Sequence, residues 1–596
     1  MILKRLESLR NEMANHNIQA YIIPTADFHQ SEYVGDYFGS REFMSGFTGS
    51  AGVLVVTEKK AGLWTDGRYF IQAASQLNGS SIVLFRQGEE GVPTIEEFLR
   101  DELFDSDTVG FDGRVVSASW GKKLEKELKE QGIHVKYEAD LVDTFWADRP
   151  GLSKENVFVL ETKYAGEEAA SKISRIREEM KKKEATCHVV TSLDDIAWIL
   201  NIRGNDVKCN PVVLSYLVIT MDQVVFFVDE EKLPEEVKAY FAQLQVEIHP
   251  YNDIYEYVKT IGEEEVVWMD GSRVNYTIAK NIKQTVKVID EMNPSILMKA
   301  IKNEVELNNL RNCHIKDGVA FTKFMYWLKT NIGKTKITEI VASDFLEEKR
   351  KEQEGFIELS FDTICAYKAN AAMMHYSAKE ETQATLEPSG LLLVDSGGQY
   401  FEGTTDITRT IALGPVCEEQ RRHFTAVVNS MLNLANARFL YGCTGLNLDI
   451  LARGPIWNMD LDYKCGTGHG VGYLLNVHEA PNGFRWKKVP ERNDGAPLEE
   501  GMVTTDEPGI YIEGSHGIRI ENELICLKGE KNEYGQFMHF EQITLAPIDL
   551  DAIDMTLMTS VEKARLNEYH KKVYETLLPY LSLEEAVWLK EYTREI

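Results

Sequence analysis

The sequence is short of cysteine, of positive charge and of long apolar runs. Eight cysteines in 596 residues fall at 187, 209, 313, 365, 417, 443, 465 and 526. They are too sparse for a disulfide scaffold, and no CxxC pair exists. That usage predicts a reduced, cytoplasmic protein. Lys and Arg number 65 against 94 Asp and Glu, a formal charge of −29. This balance argues against nucleic acid and against an anionic membrane surface as partners, since both recruit basic faces. No run approaches the ~20 apolar residues that a membrane helix needs. The opening Met1-Ile2-Leu3-Lys4-Arg5-Leu6-Glu7 meets charge at once, without the apolar core of a signal peptide.

What is present is ordinary for a globular chain, with 43% hydrophobic and 27% charged residues. The length suits several domains at roughly 150 residues each. Three blocks can be read. The first, 1–155, opens with an amphipathic helix (Leu6, Leu9, Met13), then the strand Ala20-Tyr21-Ile22-Ile23 and the strand Gly52 to Val56. The second, 156–297, replays that order. A charged helix from Ser171 to Lys182 precedes Cys187-His188-Val189-Val190, and a hairpin pairs Tyr216–Thr220 with Val224–Val228. The order of elements predicts a diverged duplication of one α/β unit. The third block, 298–596, is α+β. It opens with a helix over Lys302 to Lys329 and closes with two charged helices between Ser560 and Ile596. Between them lie strands over Ser389–Ser396, Thr404–Leu413, Met502–Ile512 and Gly517–Leu527, and a helix over Glu418–Phe439.

Several chemistries fail on their motifs. There is no GxSxG, no Walker lysine loop and no HExxH, since His478-Glu479-Ala480-Pro481-Asn482 ends in Asn. Gly466-Thr467-Gly468-His469-Gly470-Val471-Gly472 has the look of a phosphate cradle, but Val471 stands where the dinucleotide fingerprint needs Gly.

What remains is carboxylates in unusual places. Asp395 ends the apolar strand Leu391-Leu392-Leu393-Val394, and Asp406 sits in Thr404-Thr405-Asp406-Ile407. Their midpoint falls in the polar connection Gln399 to Gly403, so a hairpin there would set them opposite each other. Glu507 and Glu521 have their midpoint at Gly514, within the turn Glu513-Gly514-Ser515-His516-Gly517. Opposed residues stand ~4.5–5.5 Å apart, and two ionised acids at that distance need a neutralising partner. The bland reading is a solvated strand face or an arginine salt bridge. Two symmetric pairs with His469 between them favour a metal site instead. Oxygen donors with one imidazole suit Mn²⁺, with Zn²⁺ and Co²⁺ as alternatives. His375 and His478 are candidate proton handlers; His29 and His516 read as structural.

Together these motifs resemble a family. Asp395-Ser396-Gly397, Thr405-Asp406-Ile407-Thr408-Arg409, Gly468-His469-Gly470-Val471-Gly472, Thr505-Asp506-Glu507-Pro508-Gly509 and Ile518-Arg519-Ile520-Glu521-Asn522 are similar to the pita-bread metallopeptidases. Three N-terminal motifs, His29 to Tyr33, Ser45 to Gly52 and Trp64 to Phe70, narrow the resemblance to the three-domain aminopeptidase P form. The tail around Leu566-Asn567-Glu568-Tyr569-His570 resembles the C-terminal extension of that form.

The resemblance implies two creatinase-like α/β domains and a pita-bread catalytic domain. It implies removal of the first residue from peptides with proline second, in a homodimeric cytosolic enzyme. It makes Asp395, Asp406, His469, Glu507 and Glu521 the ligands of two divalent ions, with Asp406 and Glu521 bridging. Glu507, His375 and His478 would be catalytic, with Glu507 moving protons and His478 stabilising the oxyanion. Arg68, His375, His469 and His478 would contact substrate. The chain departs from the family at Lys464-Cys465-Gly466, where Cys465 replaces a histidine. Two alternatives stand: a prolidase confined to Xaa-Pro dipeptides, and a catalytically inactive binding module.

Overall fold

The computed structural model describes residues 1–489 and 493–596. The chain divides into two compact units, Met1–Glu161 with Glu167–Ser295, and Thr162–Gly166 with Ile296–Ile596.

The first unit contains two six-stranded mixed sheets. One is formed by Ala20–Pro24, Val53–Thr57, Ala61–Thr65, Val83–Arg86, Thr108–Gly110 and His134–Lys136. The other is formed by Cys187–Val190, Ser215–Thr220, Val224–Val228, Val246–His249, Val266–Met269 and Lys287–Asp290. Numbered along the chain, both sets stand in the order 4-3-2-1-5-6. Directions repeat too. The 1–2 and 2–3 pairs are antiparallel in both sheets, and the other three pairs are parallel. The duplication read from element order is thus present as topology. Tyr216-Leu217-Val218-Ile219 is buried without a break, as a strand covered on both faces must be, which is why it carries no polar alternation. His29 is structural: its Nδ1 lies 2.9 Å from Thr191 O and its Nε2 2.6 Å from Tyr251 OH.

In the second unit, helix Glu304–Asn331 starts at Asn303, whose side chain and Glu306 form a capping box. Strands follow in small sheets. Ile364–Tyr367, Leu391–Ser396 and Ile407–Ala412 make one of three strands. A six-stranded sheet carries Gly468–Gly470 beside Glu479–Phe484 on one side and Val503–Asp506 on the other. The hairpin Gly509–Ile512 with His516–Arg519 completes the set that bears the acids. The helix expected over Glu418–Phe439 ends earlier, at Ala435, and Arg438–Leu440 is a strand instead. Its exposed-buried-exposed alternation fits an edge paired to Gly535–Gln542. Helices Ser560–Leu577 and Leu583–Tyr592 close the unit, each with a capping box. All eight cysteines are free thiols.

Candidate metal centre

The first acidic pair is placed by a hairpin whose register differs from the expected one. Asp395 stands opposite Thr408, not Asp406, and Ser396 opposite Ile407. The same register runs on through Gln399↔Thr404 and Tyr400↔Gly403, so the turn is Phe401-Glu402. Gly397 therefore comes opposite Asp406. A Cβ there would lie 1.8 Å from Thr405 O, so only glycine allows this approach. The displacement is two residues, an even number, and both aspartates keep one face.

The second pair matches its expected register. Ile512↔His516 and Gly509↔Arg519 turn about Gly514, whose φ is 73°. The ladder Val503↔Ile525 to Asp506↔Asn522 continues the same register. Glu507 and Glu521 therefore face each other at the gap between the two ladders. His469 is delivered from the neighbouring strand, its N–H donating to Thr505 Oγ at 3.0 Å. Gly468 permits this, since a Cβ there would meet Thr505 O at 1.9 Å.

These side chains converge. One donor atom each from Asp406, His469 and Glu521 lies within 4.8 Å of the others. His469 Nε2 is 3.4 Å from Asp406 Oδ2 and 3.4 Å from Glu507 Oε1. Its Nδ1 sits 3.0 Å from Gly470 O. A proton on Nδ1 would donate to that carbonyl and leave the Nε2 lone pair aimed at the acids, the usual arrangement of a ligating imidazole. Asp395 enters through Arg519, which donates to its Oδ2 at 2.6 Å, while Asp395 Oδ1 is buried with no hydrogen-bond partner among the described residues.

Burial drives the electrostatics. It pushes the Asp406 carboxyl well above the usual carboxylate range, with Asp395, Glu507 and Glu523 adding repulsion. It does the same to Glu521, where Asp406, Glu507 and Asp395 add and His469 opposes. Asp395 is raised less, because Arg519 opposes burial there. Acids so placed ionise only when a cation offsets them. The orphaned Asp395 oxygen, the oriented imidazole and this excess of buried negative charge fit divalent ions.

Residues that the sequence reading did not assign to the site support it. Thr408 Oγ donates to Glu521 Oε2 at 2.8 Å. Thr505 Oγ donates to Glu507 Oε1 at 3.2 Å. Glu523 Oε1 accepts the Asp406 N–H at 2.7 Å and pairs with buried His314 at 3.1 Å. Arg519 also donates to Tyr511 OH at 2.6 Å. Arg519 and Glu523 share a period-2 strand face with Glu521, a pattern in the sequence that could have found those two.

His478 lies beside the cluster, its ring centroid 4.2 Å from that of His469 at 86°. His375 follows Met374, whose carbonyl accepts from Arg519 at 3.4 Å, so it belongs to the same neighbourhood. Cys465 is largely buried, and burial, with Glu507 adding, pushes its thiol up to about 12. Arg68 belongs to the first unit. There its guanidinium binds Asp66 with two bonds of 2.9 and 2.8 Å, and Glu32 lies 4.0 Å away.

Models of known families match nearly the whole chain. Residues 5–142 and 148–306 each match a creatinase/prolidase N-terminal domain, 308–528 match metallopeptidase family M24, and 536–596 match the C-terminal region of that peptidase. A "Probable Xaa-Pro aminopeptidase P" of Paracoccidioides brasiliensis (strain Pb03) is 39% identical over 100% of this chain and 99% of its own length. The "Xaa-Pro aminopeptidase 1" of Dictyostelium discoideum is 37% identical over 100% and 97%. Among solved structures, the X-prolyl aminopeptidase of Caenorhabditis elegans superposes with a TM-score of 0.95 at 35% identity over 100% of both chains. It is described as a cytosolic enzyme with a di-nuclear active site. Buried acids around an oriented imidazole, on a chain matched along its whole length, place this protein in metallopeptidase family M24, among the Xaa-Pro aminopeptidases P.

Proposed function

We propose that the chain is a dinuclear-metal Xaa-Pro aminopeptidase, hydrolysing the bond between the first residue and a second-position proline. The observation that carries this reading is the convergence of Asp406, His469 and Glu521, buried together without enough cationic charge to ionise them. Asp395, Asp406, His469, Glu507 and Glu521 would hold two divalent ions, Mn²⁺ best suiting the oxygen-rich donors and Zn²⁺ or Co²⁺ next. Bound there, the ions would supply Lewis acidity, which lowers the pKa of water to about 7 and polarises a carbonyl.

The chain's own groups do the rest. Thr408, Thr505 and Arg519 hold the carboxylates in place. Thr505 occupies Glu507 Oε1. That leaves Oε2 to take a proton from the attacking water and return it to the departing proline nitrogen. His478 donates to the oxyanion as it forms, an interaction made fully only in the transition state. His375 contacts the peptide backbone beside the scissile bond, and Arg68 helps bind the peptide. His469 contributes to the substrate pocket as well as to the metal.

The division 1–155, 156–297 and 298–596 belongs to the same reading. So does a cytoplasmic location; among the described residues no helix is long and apolar enough to cross a membrane. A homodimer is also part of it. The exposed apolar stripe Leu446, Ile450 and Trp457 on helix Gly445–Trp457 suits burial against a second copy, which sedimentation equilibrium checks.

The deciding assay gives Mn²⁺-loaded enzyme an Xaa-Pro-Pro tripeptide and an Xaa-Pro dipeptide. Preference for the tripeptide is expected. Cleavage of the dipeptide alone would indicate a prolidase, and no cleavage together with no bound metal would indicate an inactive binding module.

A further inference from the structure

We infer that Tyr569, on the C-terminal helix Ser560–Leu577, is a positioning residue for Glu521 and acts through Arg409. The inference rests on the metal-ligand reading of Glu521.

Arg409 is fully buried on strand Ile407–Ala412, yet among the described residues it donates to carbonyl, amide and phenol oxygens and to no carboxylate. Its Nη1 donates to Glu521 O at 2.6 Å and Thr408 O at 2.9 Å. Its Nη2 donates to Tyr569 OH at 2.7 Å, Asn522 Oδ1 at 2.8 Å and Ala546 O at 3.0 Å. Its Nε donates to Pro547 O at 3.2 Å. A buried cation held by neutral acceptors alone is costly, and removing the Tyr569 hydroxyl takes the shortest of three acceptors from the two N–H groups of Nη2, which must then re-aim at Asn522 and Ala546. The planar fork transmits that loss to its other partners.

Those partners are the residues that aim the ligand. Thr408 and Glu521 bond each other twice, Glu521 N to Thr408 O at 3.1 Å and Thr408 Oγ to Glu521 Oε2 at 2.8 Å. Arg409 grips the carbonyls of both. Tyr569 fixes the other end of the guanidinium. Its hydroxyl accepts from Arg409 and has its own proton for Ala546 O at 2.9 Å or Thr544 O at 3.1 Å. The adjacent His570 holds the same segment, its Nε2 accepting from Ile548 N at 3.0 Å. The C-terminal extension is therefore part of the metal site's frame, although it supplies no ligand.

The test uses the full-length chain freed of metal by chelator and titrated with Mn²⁺ by calorimetry. Tyr569→Phe keeps the ring and removes one oxygen. It should weaken Mn²⁺ binding about tenfold, within the range for outer partners of metal ligands. Leu566→Ala, on the same helix and also fully buried, provides the structural control. It should lower the Tm of the metal-free protein more than Tyr569→Phe does, yet leave Mn²⁺ affinity within about twofold. If Tyr569→Phe does not fold, His570→Gln carries the same test with a smaller expected loss. Wild-type affinity in Tyr569→Phe, or losses in both variants that simply track Tm, would overturn the inference. A wild-type chain that binds no Mn²⁺ overturns the ligand reading and the inference with it, and its flat titration distinguishes that case.

Discussion

A buried ion pair of the first unit and the acid cluster of the second hold their charge in opposite ways. In the first, buried ionic groups find partners: Lys232 binds Asp206, and Asp206 also accepts the Leu214 N–H at 2.6 Å. In the second, Asp395, Asp406 and Glu521 are buried against one another, with Arg519 the one cation among the described residues that bonds to them directly. Pairing serves stability; crowding like charges opposes it and persists where a ligand relieves it. This contrast, more than the total of acidic residues, separates scaffold from site.

The largest effect should come from breaking the crowded side. Asp406→Asn is expected to lower kcat/KM at least a hundredfold, because removing a ligand exceeds the 10–100-fold cost of removing an outer partner. The same variant should keep or raise the Tm of the metal-free protein, because it removes a buried acid whose ionisation burial and its acidic neighbours oppose. Lys232→Ala should do the reverse, costing about 3–5 kcal/mol of stability for the carboxylate it strands while leaving the chemistry of the folded enzyme alone. Steady-state kinetics with thermal melts separates the two.

Next in size is a difference in pH response. Asp406 and Glu521 have folded-state pKa values above their unfolded ones, so the folded, metal-free chain binds the extra protons. Their contribution is lost as pH rises through that window, and Mn²⁺ restores it. The Tm gained on adding Mn²⁺ should therefore grow as pH rises above the ordinary carboxylate range. A gain that shrinks as pH rises would contradict the account.

His188 in the first unit has the opposite sign. Burial pushes its imidazole down to about 4, so the unfolded chain binds the extra proton. Its contribution is present above the unfolded value of about 6.5 and fades as pH falls toward the folded value. His188→Gln should flatten this acid-side slope in equilibrium melts; an unchanged slope would assign it to other groups.

The smallest effect is expected at Cys465. Its thiol stays neutral near pH 7, so it relays no proton there, and Cys465→His should change turnover less than about tenfold. A larger gain would show that a proton relay had been lost with the family's histidine.

How much of this was legible in the sequence follows from the same contrast. The central strands of the first unit and the helices of the second read well, because short apolar or amphipathic runs between turn residues mark them, whereas the later strands of each six-stranded sheet, such as His134–Lys136 and Lys287–Asp290, went unread. The Glu507 and Glu521 register was legible because the turn at Gly514 centres both ladders. The Asp395 and Asp406 register was not. Sequence midpoints cannot show that the hairpin turns at Phe401-Glu402, a choice tied to the close approach at Gly397. Arg409 and Tyr569 were visible only as parts of motifs. Their bond joins positions 160 residues apart, and no local pattern encodes it.

The deciding question is whether the buried, crowded acids hold two ions. Calorimetric titration of chelator-treated protein with Mn²⁺ tests it most directly. The expected result is two ions bound per chain in the wild type and loss of tight binding in Glu521→Gln. No binding in the wild type, or an unchanged isotherm in the variant, would contradict it.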